Sequence, residues 1–153
     1  MSQGPKVVGF ICDWSVDLAP LVTDGQRLRE LPNVRVIRVP CSGFVRPSWL
    51  EDALVRGADG VFVTGCPYGD CLNREGNFLM RDRIEQLQRR VQRRRIDPAR
   101  IGMLARGLHE GNAFLADVRA FVERIAALSA PQMLKPVPTP AAQPAAVPEG
   151  EAP

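Results

Sequence analysis

The sequence carries one histidine, one tyrosine and only four cysteines, and it has no apolar run approaching the length of a bilayer span. A lone histidine, His109, excludes any site that needs two imidazoles, a Rieske-type cluster among them. It is read as a surface residue in the loop before the last helix. No GxGxxG follows the first apolar stretch and no P-loop signature occurs, so nucleotide or dinucleotide binding by this chain is not expected; a flavin would have to come from a partner. The opening MSQGPKVVGFIC contains Lys6, but its apolar run is too brief for a secretory signal or a membrane span. A cytoplasmic protein without a membrane span is the expectation. Excess charge is scarce too: the net +3 arises largely from the arginines of RDRIEQLQRRVQRRR, residues 81–95. With no aromatic interleaving and no recognised binding motif, that run reads as a solvated helix face, and no nucleic-acid partner is expected.

What the sequence does contain is a regular alternation. Apolar runs at residues 7–11, 34–39, 60–64 and 101–105 have the length of buried strands, and three of them are rich in Val and Ile. Between the second and third lies PSWLEDALVRG, with Pro47 favouring helix entry, Ser48 and Glu51 at capping-box spacing, and Gly57 as a stop. Met80, Ile84, Leu87 and Val91 repeat at helical spacing after the third run, as do Phe114, Val118, Val122 and Ile125 after the fourth. The first connection, residues 12–32, is interrupted by Pro20 and Gly25, which predicts short helical pieces with loop. Strands alternating with helices predict an α/β fold in three layers, built on a mostly parallel four-stranded sheet of flavodoxin-like or Rossmann-like type, with strand order 2-1-3-4. The domain is expected to span residues 1–130. Residues 131–153, PQMLKPVPTPAAQPAAVPEGEAP, are so dense in Pro and Ala, and so poor in bulky apolar residues, that a flexible tail is predicted there.

In an open parallel sheet, ligands gather outside the carboxyl ends of the strands, above all where the strand order reverses. Cys12, Cys41 and Cys66 each close a different predicted strand, and Cys71 follows Cys66 in the loop CPYGDC. If strands 1, 2 and 3 are neighbours, all four thiols reach one edge although they span sixty residues of sequence. In a reducing compartment such a set points to metal or redox chemistry rather than disulfides. Three outcomes suit four thiols so placed. Structural zinc serving an assembly module usually shows two close CxxC pairs, and only one close pair exists here. An iron–sulfur cluster accepts more varied spacing, and the C-x4-C of Cys66 and Cys71 also occurs in plant-type 2Fe-2S ligation, without its third ligand two residues on. A cysteine-based redox protein would use Cys66 or Cys71 as a reactive thiolate near Arg74. Gly43, Gly65 and Gly69 crowd the site and would let backbone amides approach the sulfurs. Pro40 and Pro67 would stiffen the loops. Around the cysteines lie Trp14, Phe44, Arg46, Tyr68 and Arg74, residue types favoured at interface hot spots.

CDW at Cys12, NVRVIRVPCSGFVRP from Asn33 and GADGVFVTGCPYGDCLNREGN from Gly57 resemble the delta-subunit family of methyl-viologen-reducing hydrogenase, over about residues 6–128. The resemblance implies a small electron-transfer protein without catalysis of its own, carrying one 2Fe-2S cluster. It implies as partners a hydrogenase or formate dehydrogenase-type subunit and the flavoprotein subunit of a heterodisulfide-reductase-like complex. Many relatives carry a second cysteine three positions after the first, where this sequence has Ser15. All-cysteine ligation of a family-type cluster therefore implies that Cys12, Cys41, Cys66 and Cys71 are all ligands, with none spare.

Overall fold

In the computed structural model, which describes residues 4–128, the four apolar runs form β1 (Val7–Cys12), β2 (Val34–Val39), β3 (Gly60–Gly65) and β4 (Ile101–Ala105). All pairings are parallel and the order is β2-β1-β3-β4, as the alternation predicts. The register places Val7 beside Val34 and Gly60, and Val61 beside Ile101. β3 is buried along its whole length, which is why GVFVTG has no alternating polar face. The edge strand β2 does alternate in part, with Arg35 and Arg38 outward.

Parallel strands need long crossovers, and these cover both faces of the sheet. Helices α1 (Pro47–Val55) and α2 (Gly76–Arg93) pack on one face, where Leu50, Met80, Ile84, Leu87 and Val91 meet Val61, Val63 and Phe10. Helix α3 (Gly111–Ala126) covers the other, joining Phe114, Val118, Phe121 and Ile125 to Phe62, Val34 and Val36. Val122, expected on the buried face, is only half-buried, and Leu115 and Phe121 take up the inward stripe instead. Arg89, Arg90, Arg93, Arg94 and Arg95 are exposed, so the basic run is a solvated surface.

Two local expectations are corrected. No helix forms in the first connection: Val22 and Leu28 make an antiparallel bridge closed by a turn in which Gln26 has φ 57°, and Arg27 bridges to Arg35 on β2. Val16, Leu18 and Leu28 lack helical spacing, yet all three are buried in the same core as α3, so an irregular strap shares that layer. Nor does Ser48 cap α1. Pro47 occupies the first helical turn, Arg46 becomes the N-cap without a side-chain bond, and Glu51 pairs with Arg90 at 2.7 Å. Gly57 does end the helix as predicted, at φ +105°, a conformation that favours glycine. The tail predicted at residues 131–153 lies outside the described residues.

Candidate metal centre

The strand order reverses between β1 and β3, and the chain leaves these two strands at Cys12 and Cys66. Their sulfurs lie 4.0 Å apart, both buried, with Cys66 Sγ 3.3 Å from the Trp14 carbonyl oxygen and Cys12 Sγ 3.9 Å from that of Pro40. Cys41 follows β2 and opens a short 3-10 turn, Ser42–Phe44, while Cys71 stands in the loop before α2. These two thiols form a second close pair, the Cys41 thiol being near enough to the Cys71 sulfur to favour its thiolate. Gly76, the first residue of α2, sits between them: a Cβ there would overlap the Cys41 sulfur and lie 3.3 Å from that of Cys71. Gly43 and Gly76 are likewise backbone to backbone, since a Cβ on Gly43 would approach Gly76 Cα to 2.7 Å. The glycines beside the cysteines let three loops converge without side chains between them.

The two pairs differ electrostatically. Burial, the Cys12 sulfur and, further off, Cys71 and Cys41 push the Cys66 thiol up to about 12 from an ordinary 9.0. Burial pushes Cys71 the same way, but the backbone N–H groups of Asn77, Asn73 and Gly76, with the Cys41 thiol, outweigh it and hold Cys71 below its ordinary value. Two of those amides belong to the first turn of α2, where unpaired N–H groups and the helix dipole favour a thiolate.

The framework around the pairs is cross-tied. Asn77, fully buried, donates from Nδ2 to the carbonyls of Cys66 and Pro67, both at 3.0 Å, so the start of α2 is fastened to the end of β3. Arg83 Nη1 donates to the Gly43 carbonyl at 2.7 Å and fixes the Cys41 turn from the side. Ser15 is buried and closes the turn after β1, its Oγ donating to the Cys12 carbonyl at 2.6 Å. Neither Asn77 nor Arg83 stands out in the sequence as a site residue. The available signal is an Asn at a helix start directly after Gly, too common to single out. The structure thus brings all four predicted cysteines to one edge, in two pairs. Among the described residues, no group of three or more His, Cys, Asp or Glu side chains converges in a way that could hold a metal ion. His109 is exposed.

This edge is also unusually apolar on the outside. Trp14, Phe44 and Leu72 are 60%, 61% and 63% exposed, and Tyr68, Leu79 and Leu108 are exposed as well. All six lie on loops or a first helical turn at the carboxyl end of the sheet; of the exposed large apolar side chains described, Ile37 alone lies elsewhere, on β2. Phe44 and Leu79 flank a cleft of about 530 Å³ that reaches Cys41 and Gly76. The sequence points to Trp14, Phe44 and Tyr68. Leu72, Leu79 and Leu108 are missed, because an apolar side chain beside a helix reads as core. Arg46 and Arg74 are both exposed at the same edge, and neither forms an ion pair among the described residues.

Residues 7–129 match the family described as methyl-viologen-reducing hydrogenase, delta subunit. The vhc iron-sulfur subunit of the F420-non-reducing hydrogenase of Methanococcus voltae is 33% identical over 124 residues, 81% of this chain and 86% of that protein. The corresponding F420-non-reducing hydrogenase iron-sulfur subunit of Archaeoglobus profundus is 39% identical over 97 residues, 63% of this chain and 71% of that protein. A subunit of the ferredoxin/F(420)H(2)-dependent CoB-CoM heterodisulfide reductase of Methanosarcina acetivorans is 36% identical over 124 residues, 81% of this chain but 16% of that protein. The chain therefore corresponds to one small segment of that larger polypeptide and to most of the length of the hydrogenase subunits. Among the described residues no helix is long and apolar enough to cross a membrane. With the match extending from β1 to just past α3, the chain belongs to the methyl-viologen-reducing hydrogenase delta-subunit family.

Proposed function

We propose that this chain is an electron-transfer subunit carrying one 2Fe-2S cluster on Cys12, Cys41, Cys66 and Cys71. The observation that carries the proposal is the arrangement of the thiols as two close pairs at the switch point of the sheet. A dinuclear cluster takes four cysteine thiolates, two on each iron, whereas a single zinc ion asks four donors to converge on one point. The donor set fits in charge as well. Backbone amides already directed at the Cys71 sulfur would stabilise a thiolate ligand, and the buried Cys66 thiol, costly to ionise alone, would lose its proton to the metal. When bound, such a group accepts and releases one electron; the chain's own residues hold the sulfurs, keep water from Cys12 and Cys66, and leave Cys71 near the surface.

A protein whose only chemistry is such a one-electron centre hands electrons to others. We take the apolar rim of Trp14, Phe44, Tyr68, Leu72, Leu79 and Leu108 as the docking face. The partners are a hydrogenase or formate dehydrogenase-type subunit on one side and a heterodisulfide-reductase-like flavoprotein on the other. The names of the relatives support this reading, as does the existence of a relative in which the same segment is part of a larger heterodisulfide reductase polypeptide. Single replacement of Cys12, Cys41, Cys66 or Cys71 by Ala is expected to abolish or severely reduce the visible absorption of anaerobically prepared protein. Ser15→Ala keeps it, since Ser15 bonds a backbone carbonyl and not a sulfur. A normal spectrum in Cys12→Ala would refute the ligand assignment.

A further inference from the structure

Ser42 is 1% exposed, yet its hydroxyl has no hydrogen-bond partner. Proteins seldom bury a hydroxyl without one, because the desolvation cost is not recovered, and a native exception calls for an explanation. Its position supplies one. Ser42 directly follows Cys41 in the chain. A Cβ built on Gly65, the residue before Cys66, would lie 2.8 Å from Ser42 Oγ and 3.3 Å from Asn77 Cβ. Asn77 is in turn the residue whose backbone N–H donates to the Cys71 sulfur. The orphaned hydroxyl therefore sits where the frames of three cysteines meet, Cys41 from the loop after β2 and Cys66 and Cys71 from the loop after β3. Asn77 does not serve it as a donor: its Nδ2 is committed to the Cys66 and Pro67 carbonyls.

We propose that the Ser42 hydroxyl is a hydrogen-bond donor reserved for the sulfur atoms of the iron–sulfur site, raising its reduction potential. The inference rests on the reading of the four cysteines given above. Thiolate and sulfide atoms offer acceptors only, so a hydroxyl that bonds to them donates. A donor to sulfur favours the reduced state, which carries one more negative charge. The sequence holds an internal control in Thr64, the other buried hydroxyl without a partner among the described residues. Thr64 lies within β3, in register with Ile11 and Leu104, whose side chains belong to or pack against the core under α3. By strand alternation it faces away from Gly65 and Ser42.

The test compares wild type, Ser42→Ala and Thr64→Val by iron content, by midpoint potential in an EPR-monitored redox titration, and by urea unfolding of the apo forms. The expected result is iron retained in all three. At fixed potential the reduced-to-oxidised ratio of Ser42→Ala falls severalfold, a tenfold fall corresponding to about 59 mV for a one-electron couple. Thr64→Val is unshifted. Apo Ser42→Ala is at least as stable as apo wild type, since no existing bond is lost. Iron-loaded Ser42→Ala at unchanged potential overturns the inference alone. So does a folded Ser42→Ala that no longer holds iron, and so does a destabilised apo variant, which would reveal a structural partner such as a trapped water. Wild-type protein without iron overturns the reading of the site itself, and the inference with it.

Discussion

The two ends of the sheet obey different rules. At the amino end the polar groups satisfy one another: the Lys6 backbone N–H donates to Asp59 Oδ2 at 2.8 Å, the Asp59 N–H returns to the Lys6 carbonyl at 2.7 Å, Arg100 Nη1 reaches the Asp59 carbonyl at 2.8 Å, and Asn33 Nδ2 holds the Pro5 carbonyl at 2.7 Å. At the carboxyl end, loops pack glycine against glycine, thiols face thiols, and Ser42 and Thr64 lack partners. Six large apolar side chains stand in solvent there. Among the described residues, buried side-chain polar groups go unpartnered at that end only, which is where function is expected to exact a cost in stability. On the proposed reading, the amino end holds the fold and the carboxyl end receives a group that is not part of the chain.

That contrast can be broken or sharpened at three levels. The largest effect is expected within the site. In metal-free, reduced protein at neutral pH, Cys71 reacts first with an alkylating agent and Cys66 last, their rates differing by more than about a hundredfold. Backbone amides hold the Cys71 thiol down and leave it partly exposed, while burial and Cys12 push Cys66 up to about 12. Mass mapping of the labelled peptides checks the order; equal rates would dissolve the distinction between the pairs. The sign of the pH dependence follows. An unfolded chain releases the Cys66 proton near its ordinary 9.0, while the folded chain holds it to about 12, so apo stability falls as pH rises from 9 toward 12.

The next effect compares one polar tie from each end, buried at the carboxyl end and exposed at the amino end. Asn77→Ala removes two bonds that fasten α2 to the Cys66 loop and leaves a buried carbonyl, that of Cys66, and a part-buried one, that of Pro67, without this donor. It is expected to cost about 1–3 kcal/mol in urea unfolding and to release iron. Asp59→Ala removes a bond at the amino end that is exposed to solvent. It costs about 0.5–1.5 kcal/mol and leaves iron content intact. Iron loss from Asp59→Ala would show that the two ends are coupled.

The smallest effect on the chain itself is expected from Arg46→Glu combined with Arg74→Glu. Both side chains are exposed and without ion pairs among the described residues, so stability stays within about 0.5 kcal/mol. Association with the flavoprotein partner and partner-dependent reduction are expected to weaken, most at low salt, because exposed charges steer encounter. Full retention of both would move docking to another surface.

Much of the amino-end architecture was legible in the sequence. Buried parallel strands announce themselves as continuous apolar runs, so β2 and β4 match residue for residue, and β1 and β3 extend one residue past the reading, into Cys12 and Gly65. The gathering of the four cysteines followed from the strand order. Three features were not legible. The 13–33 strap buries Val16, Leu18 and Leu28 without periodicity, so no helical or strand pattern could reveal it. The pairing of Cys12 with Cys66, and of Cys41 with Cys71, is set by how three loops meet, and the close sequence spacing of Cys66 and Cys71 suggested a different partner. Asn77 and Ser42 matter because of what surrounds them, which composition does not carry.

The central claim is the identity of the group that the two thiol pairs are proposed to hold, and iron and acid-labile sulfide can be counted in anaerobically purified native protein alongside a reductive titration. About two irons, about two sulfides and one electron accepted per chain are predicted, the demand of a single cluster on four cysteines. Stoichiometric zinc without iron would contradict it.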